Sequence, residues 1–229
     1  MAVGGRGARR GSSSLIEEQL ALAAARPAPW SWSGGPLAVG ACAICFEHGL
    51  TGPGAHGDPC WAAAAVICGG RVTASAAVSG EAGAPYVPGL LAMREALVLE
   101  AAVRALPTAP EVLLVDATGR DHPRRAGMAI QLGAALGVPT VGVTHRPLLA
   151  AGDWPDDVVG ASSPLVLEAE VVGVWLRTRR GARPLAIHPG WRTDVSVAVS
   201  IVLAVCGPRR TPEPLRVARR LAREQRATA

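Results

Sequence analysis

Apolar and polar positions follow two rhythms along the chain. A helical spacing over residues 15–25, with Glu17 and Glu18 in its first turn, predicts an opening helix. Residues 26–35 contain Pro27, Pro29, Gly34 and Gly35 and read as a loop carrying Trp30 and Trp32. The uninterrupted apolar run 36–46 predicts a buried strand. Segments 61–68 and 71–77 predict a hairpin across Gly69-Gly70. Residues 90–106 carry apolar side chains at 90, 91, 97, 98, 101 and 102, the stripe of a helix. A short buried strand over 111–115 then ends at Asp116. A helix over 123–136, opened by Pro123, and a buried strand over 138–143 follow, and this order is the logic of a parallel sheet. Segments 165–168 and 171–176 predict a second hairpin around Ala169-Glu170. A strand over 184–187, a helix over 194–206 and a basic amphipathic helix over 214–226 complete the pattern. The expected architecture is one mixed α/β domain over 14–229, preceded by a disordered basic arm over 1–13.

Composition narrows the setting. At 229 residues the chain has about one to two domains' worth of sequence, at ~150 residues each, and 49% hydrophobic residues supply a core. No uncharged apolar run reaches the ~20 residues of a membrane helix. Arg6, Arg9 and Arg10 are followed by Glu17 and Glu18, which argues against a signal peptide. Five cysteines, an odd number, argue against a disulfide scaffold and for a cytoplasmic protein. All 23 cationic residues are arginine, so no lysine is available as a general base or phosphate ligand. Arg209, Arg210, Arg216, Arg219, Arg220, Arg223 and Arg226 stand against only Glu213 and Glu224, a net +5 near the C-terminus. Such a cluster suits a polyanion partner, and equally a solvated helix face.

Three places can carry chemistry. Asp116 follows Val112-Leu113-Leu114-Val115, and open α/β sheets place ligands at the carboxyl ends of their strands. Gly119, His122, Arg124, Arg125 and Gly127 follow it, and arginine forks beside a helix start at Pro123 would read a phosphate. Tyr86, the only tyrosine, lies between Pro85 and Pro88, a stiff aromatic suited to wedging between bases. Glu95 shares a helix face with Leu91 and Val98, and a buried glutamate needs a metal or a cationic partner.

Pro85-Tyr86-Val87-Pro88-Gly89 with Arg94-Glu95, then Val115-Asp116 with Gly119 and His122-Pro123-Arg124-Arg125-Ala126-Gly127, resembles the endonuclease V family. Gly142-Val143 and Pro212-Glu213-Pro214-Leu215-Arg216-Val217-Ala218 extend the likeness over roughly residues 36–226. The resemblance implies a ribonuclease H-like fold and Mg²⁺- or Mn²⁺-dependent cleavage of a phosphodiester near a deaminated base, mainly inosine, in DNA or RNA. It assigns Tyr86 and Pro88 to a strand-separating wedge, and Gly89, Leu91, Gly119 and His122 to the flipped-base pocket. Glu95 and Asp116 fall on two metal-binding carboxylates.

The sequence also departs from that pattern. The family's Gly-x-Asp on the first strand is Gly40-Ala41-Cys42 here, its lysine is His145, and its Gly-His-Arg is Gly190-Trp191-Arg192. Its carboxylate near the penultimate helix falls on Ser196, with Asp194 two residues earlier as the substitute. A thiol is a poor ligand for a hard cation, so metal affinity and cleavage should both be weakened. Two readings follow. One is a weakened nuclease using Glu95, Asp116, Asp194 and His145. The other is an inactive nucleic-acid-binding paralogue that keeps the wedge and pocket. Either is expected to be monomeric. Cys42 and Cys45 project to opposite faces of a strand, so the Cys-x-x-Cys spacing does not suit a zinc site.

Overall fold

The computed structural model describes residues 11–229, and the arm expected at the N-terminus lies mostly outside them. Residues 12 and 13 form the first turn of helix α1 (Ser12–Ala24), which places Glu17 and Glu18 in its second turn. Strands β1 (Val39–Phe46), β2 (Pro59–Cys68) and β3 (Arg71–Glu81) follow, then helix α2 (Leu91–Arg104) and strand β4 (Val112–Val115). Helix α3 (Met128–Leu136) leads to β5 (Thr140–Thr144), β6 (Ser162–Leu167), β7 (Glu170–Leu176) and β8 (Leu185–Pro189). Helices α4 (Val195–Cys206) and α5 (Glu213–Ala227) close the chain. The strands form one eight-stranded sheet in the order β3-β2-β1-β4-β5-β8-β7-β6. Only β1/β4 and β4/β5 are parallel. This is the mixed sheet flanked by helices that the sequence predicts.

Strand alternation builds two cores. Cys42, Leu113 and Val115 face α1, α2 and α3, where they pack with Leu99, Ala102 and Leu132. Ala41, Ala43 and Leu114 face the other way and pack with Ile201, Leu215 and Ala218 of α4 and α5. The alanine run 62–65 of β2 is fully buried, and its small side chains let helices sit close on both faces. The basic C-terminal helix is therefore part of the core: Leu215, Ala218 and Ala222 have no exposed surface. Burying one leucine fully contributes roughly 1.5–3 kcal/mol.

Several strand ends shift by a few residues from expectation, and two larger departures shape the loops around the site. The helix expected from Pro123 begins at Met128, because Arg125 takes a left-handed φ of 56° and the Gly127 N–H bonds the Gly119 carbonyl at 2.8 Å. Residues 119–127 close a loop first, and the helix starts only beyond it. The second hairpin turns at Glu168-Ala169, one residue early, where both φ values are positive (51° and 65°).

Gly119 packs so closely under β8 that a Cβ there would collide with the Pro189 carbonyl oxygen. Gly119→Ala is expected to destabilise the protein by about 1–3 kcal/mol, as overpacking of a tight interior does. Urea unfolding of the variant against wild type measures it.

Candidate functional site

The segment between β3 and α2 is braced from below. The Tyr86 N–H donates to the Pro53 carbonyl (2.7 Å), and Gly89 takes φ +76°, a conformation that favours glycine. Arg94 donates to the carbonyls of Ala84 (2.9 Å) and Ala55 (3.2 Å) and pairs with Asp58 at 2.8 Å. Its guanidinium also lies 4.2 Å from the centroid of the Phe46 ring. The Ala55 N–H, and then Arg94, hold the Asp58 carboxyl below the usual range. One buried guanidinium thus joins the 53–58 loop to the tyrosine loop, and Tyr86 projects from this base with 44% of its surface exposed. Sequence reading missed Asp58. Its signal was Gly57-Asp58-Pro59, a turn carboxylate ahead of a strand.

The Gly89 carbonyl oxygen ties three segments together. It accepts from His122 Nε2 (3.1 Å), Gln19 Nε2 (3.1 Å) and Arg124 Nη2 (2.6 Å). Arg124 Nε also donates to Gln19 Oε1, and the Arg124 N–H donates to His122 Nδ1 (3.1 Å). His122 is therefore the tautomer protonated on Nε2. Burial pushes its pKa down to about 4, with the Arg124 charge adding to the shift. The buried carboxylate of Asp121 accepts the backbone N–H groups of Leu148, Leu149 and Ala150, fixing the loop after β5. Gly89 and His122 are thus brought together as expected. Leu91 is half-buried and packs on the α2 core, and Gly119 packs against Pro189.

Arg124 and Arg125 were expected to face a phosphate, but both engage groups of the protein itself. Arg125 reaches Glu168 (2.9 Å) and the Leu167 carbonyl (3.2 Å). Because no helix starts at Pro123, the free N–H cluster expected there does not form either. Gln19, fully buried in α1, went unrecognised in the sequence as the partner of this loop.

The expected metal centre is assembled only in part. Cys42 stands beside Val115 in the parallel β1/β4 register, so it adjoins Asp116. The Cys42 thiol is pushed up to about 12, first by burial and then by the charges of Asp116 and Glu95. Glu95 is pushed up to about 7 by burial and by Asp116, against the opposing pull of Arg94. Position 42, Glu95 and Asp116 therefore sense one another electrostatically. Their chemistry does not suit a hard cation. Position 42 offers a buried thiol where a hard cation wants an oxygen, and Asp116 Oδ2 is held by Arg219 Nη2 (2.6 Å) and Nε (3.2 Å). Among the described residues, no three His, Cys, Asp or Glu side chains are placed to hold a metal ion. The Mg²⁺ or Mn²⁺ that the resemblance implies does not fit this donor set.

His145 lies near the same centre. Burial lowers its pKa, as do the charges of Arg210 and Arg219, while Asp116 raises it. Asp194 does not join. It caps α4 by accepting the Val197 N–H (2.8 Å), beside Thr193, whose hydroxyl donates to the carbonyl of Thr140 at the start of β5. Asp116 lies where β4 and β5 end, so strand direction separates the two carboxylates. Trp191 lies at the Asp194 end, its N–H on Thr140 Oγ1 (2.8 Å). Arg219 was visible in the sequence only as one member of the basic cluster. One residue beyond buried Ala218, it lies at the edge of the apolar face of α5, which carries it to Asp116.

Sheet order, flanking helices and a carboxylate at the end of a central strand define the class as a ribonuclease H-like α/β domain. The Endonuclease V family model matches residues 52–220, so the chain belongs to the endonuclease V family. Strand β1, with Cys42, precedes the matched span. An Endonuclease V of Streptomyces coelicolor is 42% identical over 164 residues, 71% of this chain and 70% of that protein. Other curated relatives are matched over as little as 62% of their length. The solved Endonuclease V of Streptomyces avermitilis is 32% identical with a TM-score of 0.83, covering 100% of this chain and 98% of that one. Ciona intestinalis Endonuclease V, in complex with a 24mer DNA containing an inosine followed by a ribo-adenosine, shares the fold at 19% identity. Its TM-score is 0.77, over 94% of this chain and 97% of that one.

These shifts set the pH response. His122 and fully buried His188, also pushed down to about 4 by burial, take up protons near pH 6.5 only when unfolded. Stability therefore falls as pH drops from 6.5 toward 4. Glu95 has the opposite sign: its raised pKa stabilises the fold at low pH, and that contribution is lost as pH rises through about 7. With two histidines against one glutamate, Tm is expected to fall on acidification below pH 6.5. His122→Asn should flatten that fall, and Glu95→Gln should raise Tm at about pH 8 more than at about pH 5. Thermal melts across this range check all three signs.

Proposed function

We propose that this chain recognises deaminated bases, inosine above all, in DNA or RNA, with phosphodiester cleavage reduced far below that of a site built from carboxylates. One contrast carries the reading: the tyrosine platform is fully braced through Arg94 and the Gly89 carbonyl, while the cation centre has a neutral thiol at position 42 and a guanidinium on Asp116. Tyr86, between two prolines, opens the stack, and a mismatched or deaminated pair costs less to open than a matched one. The Ciona protein, with its inosine-containing DNA, supports inosine as the base. Cytoplasmic location and a monomeric state belong to the same proposal. The five free cysteines suit the reducing cytoplasm.

Selectivity and affinity come from different places in this scheme. Tyr86→Ala is expected to bring the affinity for an inosine-containing oligonucleotide close to that for its adenosine counterpart, while retaining most bulk binding. Fluorescence anisotropy with both oligonucleotides reads this ratio, and an unchanged ratio sinks the wedge. Nicking of the inosine strand with Mg²⁺ or Mn²⁺ should lie at least ~10²-fold below that of a relative with aspartate at position 42, the scale of one lost electrostatic partner.

Affinity should come largely from α5. Arg216, Arg220 and Arg223 line a surface groove along this helix with Glu213 and Glu224. Because α5 is core, the test is substitution of charge and not removal of the helix. Arg216, Arg220 and Arg223 changed together to Gln should lower the slope of log affinity against log salt by about 2–3, near one per lost phosphate contact. An unchanged slope would leave these arginines as a solvated face.

A further inference from the structure

Asp116 ends a central strand beside Cys42 and near Glu95, which makes it the natural first ligand of a cation at this end of the sheet. It already has a cation. Arg219 reaches across from α5 and sets both Nε and Nη2 on the same oxygen, Oδ2, at 3.2 and 2.6 Å. The pair is only partly exposed, with side-chain accessibilities of 24% for Arg219 and 42% for Asp116. Beside Asp116, position 42 offers only a buried thiol, a poor ligand for a hard cation. One guanidinium therefore balances one carboxylate. A divalent ion added here would have to displace Arg219 and would then meet a thiol where a hard cation wants an oxygen.

We propose that Arg219 occupies the seat of the divalent cation, so that the chain engages a nucleic-acid phosphate here through a tethered guanidinium and without metal. A guanidinium holding a carboxylate along one edge keeps its Nη1 donors for a phosphate oxygen, the planar fork geometry in which arginine excels. His145 feels the charges of both Arg210 and Arg219, and that clustering of positive charge makes this end of the sheet more favourable to an anion. The same substitution accounts for weak cleavage. A guanidinium supplies positive charge to a phosphate, but it cannot bind a water and lower its pKa as a metal ion does. The inference concerns the cation alone, and it holds whichever base the tyrosine loop prefers.

Manganese binding by the full-length protein is the direct test, read by the loss of the free Mn²⁺ resonance in electron paramagnetic spectra. Wild type should show no saturable site. Its melting temperature and its affinity for an inosine-containing oligonucleotide should be the same in EDTA and in Mg²⁺ at matched ionic strength. Cys42→Asp with Arg219→Ala, shown to be folded by circular dichroism, should gain one Mn²⁺ per chain and melt higher when Mn²⁺ is added. Should the double variant not fold, Arg219→Gln alone serves: it should weaken oligonucleotide binding about tenfold, equally for inosine and adenosine, as loss of a phosphate contact does. Stoichiometric Mn²⁺ binding by wild type that Asp116→Asn abolishes would overturn the proposal. So would a folded double variant that binds no Mn²⁺, or an Arg219→Gln protein of unchanged affinity. A lost inosine preference with these cation results intact would count against the proposed function and not against this inference.

Discussion

The parallel pairing of β1 with β4 is the constraint on which the rest of the molecule depends. Four residues, Val39 to Cys42, run beside Val112 to Val115, and the register brings position 42 next to the last residue before Asp116. Each strand is buried on both faces, so a slip of one residue would turn both cores inside out. Once this register is set, α2 covers one face and α5 the other. Asp116, at the strand end between them, is near Glu95 from α2 and bonded to Arg219 from α5. The fold thus delivers charged groups to one point from helices more than a hundred residues apart in the chain.

What occupies that point follows from electrostatics. Clustered carboxylates around a divalent ion are stable because the ion offsets their mutual repulsion. Here the repulsion is relieved without an ion, by a thiol in place of one carboxylate and by a guanidinium on Asp116. The changes are mutually consistent: an arginine on Asp116 would be repelled by a bound divalent ion, and a buried aspartate at position 42 would lack a counter-charge without one. The recognition side is organised by a different principle. Its strength lies in hydrogen bonds to backbone carbonyls, at Ala55, Ala84 and Gly89, which hold a loop rigidly without depending on any ion. One half of the site could therefore change its charge balance without disturbing the other.

Several features were legible in the residues alone because they are local. The strand 112–115 is an apolar run closed by a charged residue, and α2 and α4 show their apolar spacing directly. Pro85, Pro88 and Gly89 restrict their own backbone, so the stiff tyrosine loop could be read without a structure. The motif order, the family likeness and the loss of a carboxylate at position 42 are likewise properties of the written chain.

Other features exist only in three dimensions. Arg124 and Arg125 read as phosphate ligands because they are cationic and follow a glycine-containing loop, yet Gln19 from α1 and Glu168 from the β6–β7 turn claim them. No spacing rule links residues 105 or 43 positions apart. Asp194 was a reasonable substitute ligand by proximity in sequence, but the antiparallel course of β8 carries it to the opposite end of the sheet. Arg219 looked like any member of a basic helix, and only the packing of Leu215 and Ala218 into the core rotates it onto Asp116. Composition, strand and helix type, and the identity of each substitution were determined by the sequence, since each depends on neighbours along the chain. Which charge meets which was decided by the tertiary structure, because an ion pair depends on distance through space and on the water that packing removes.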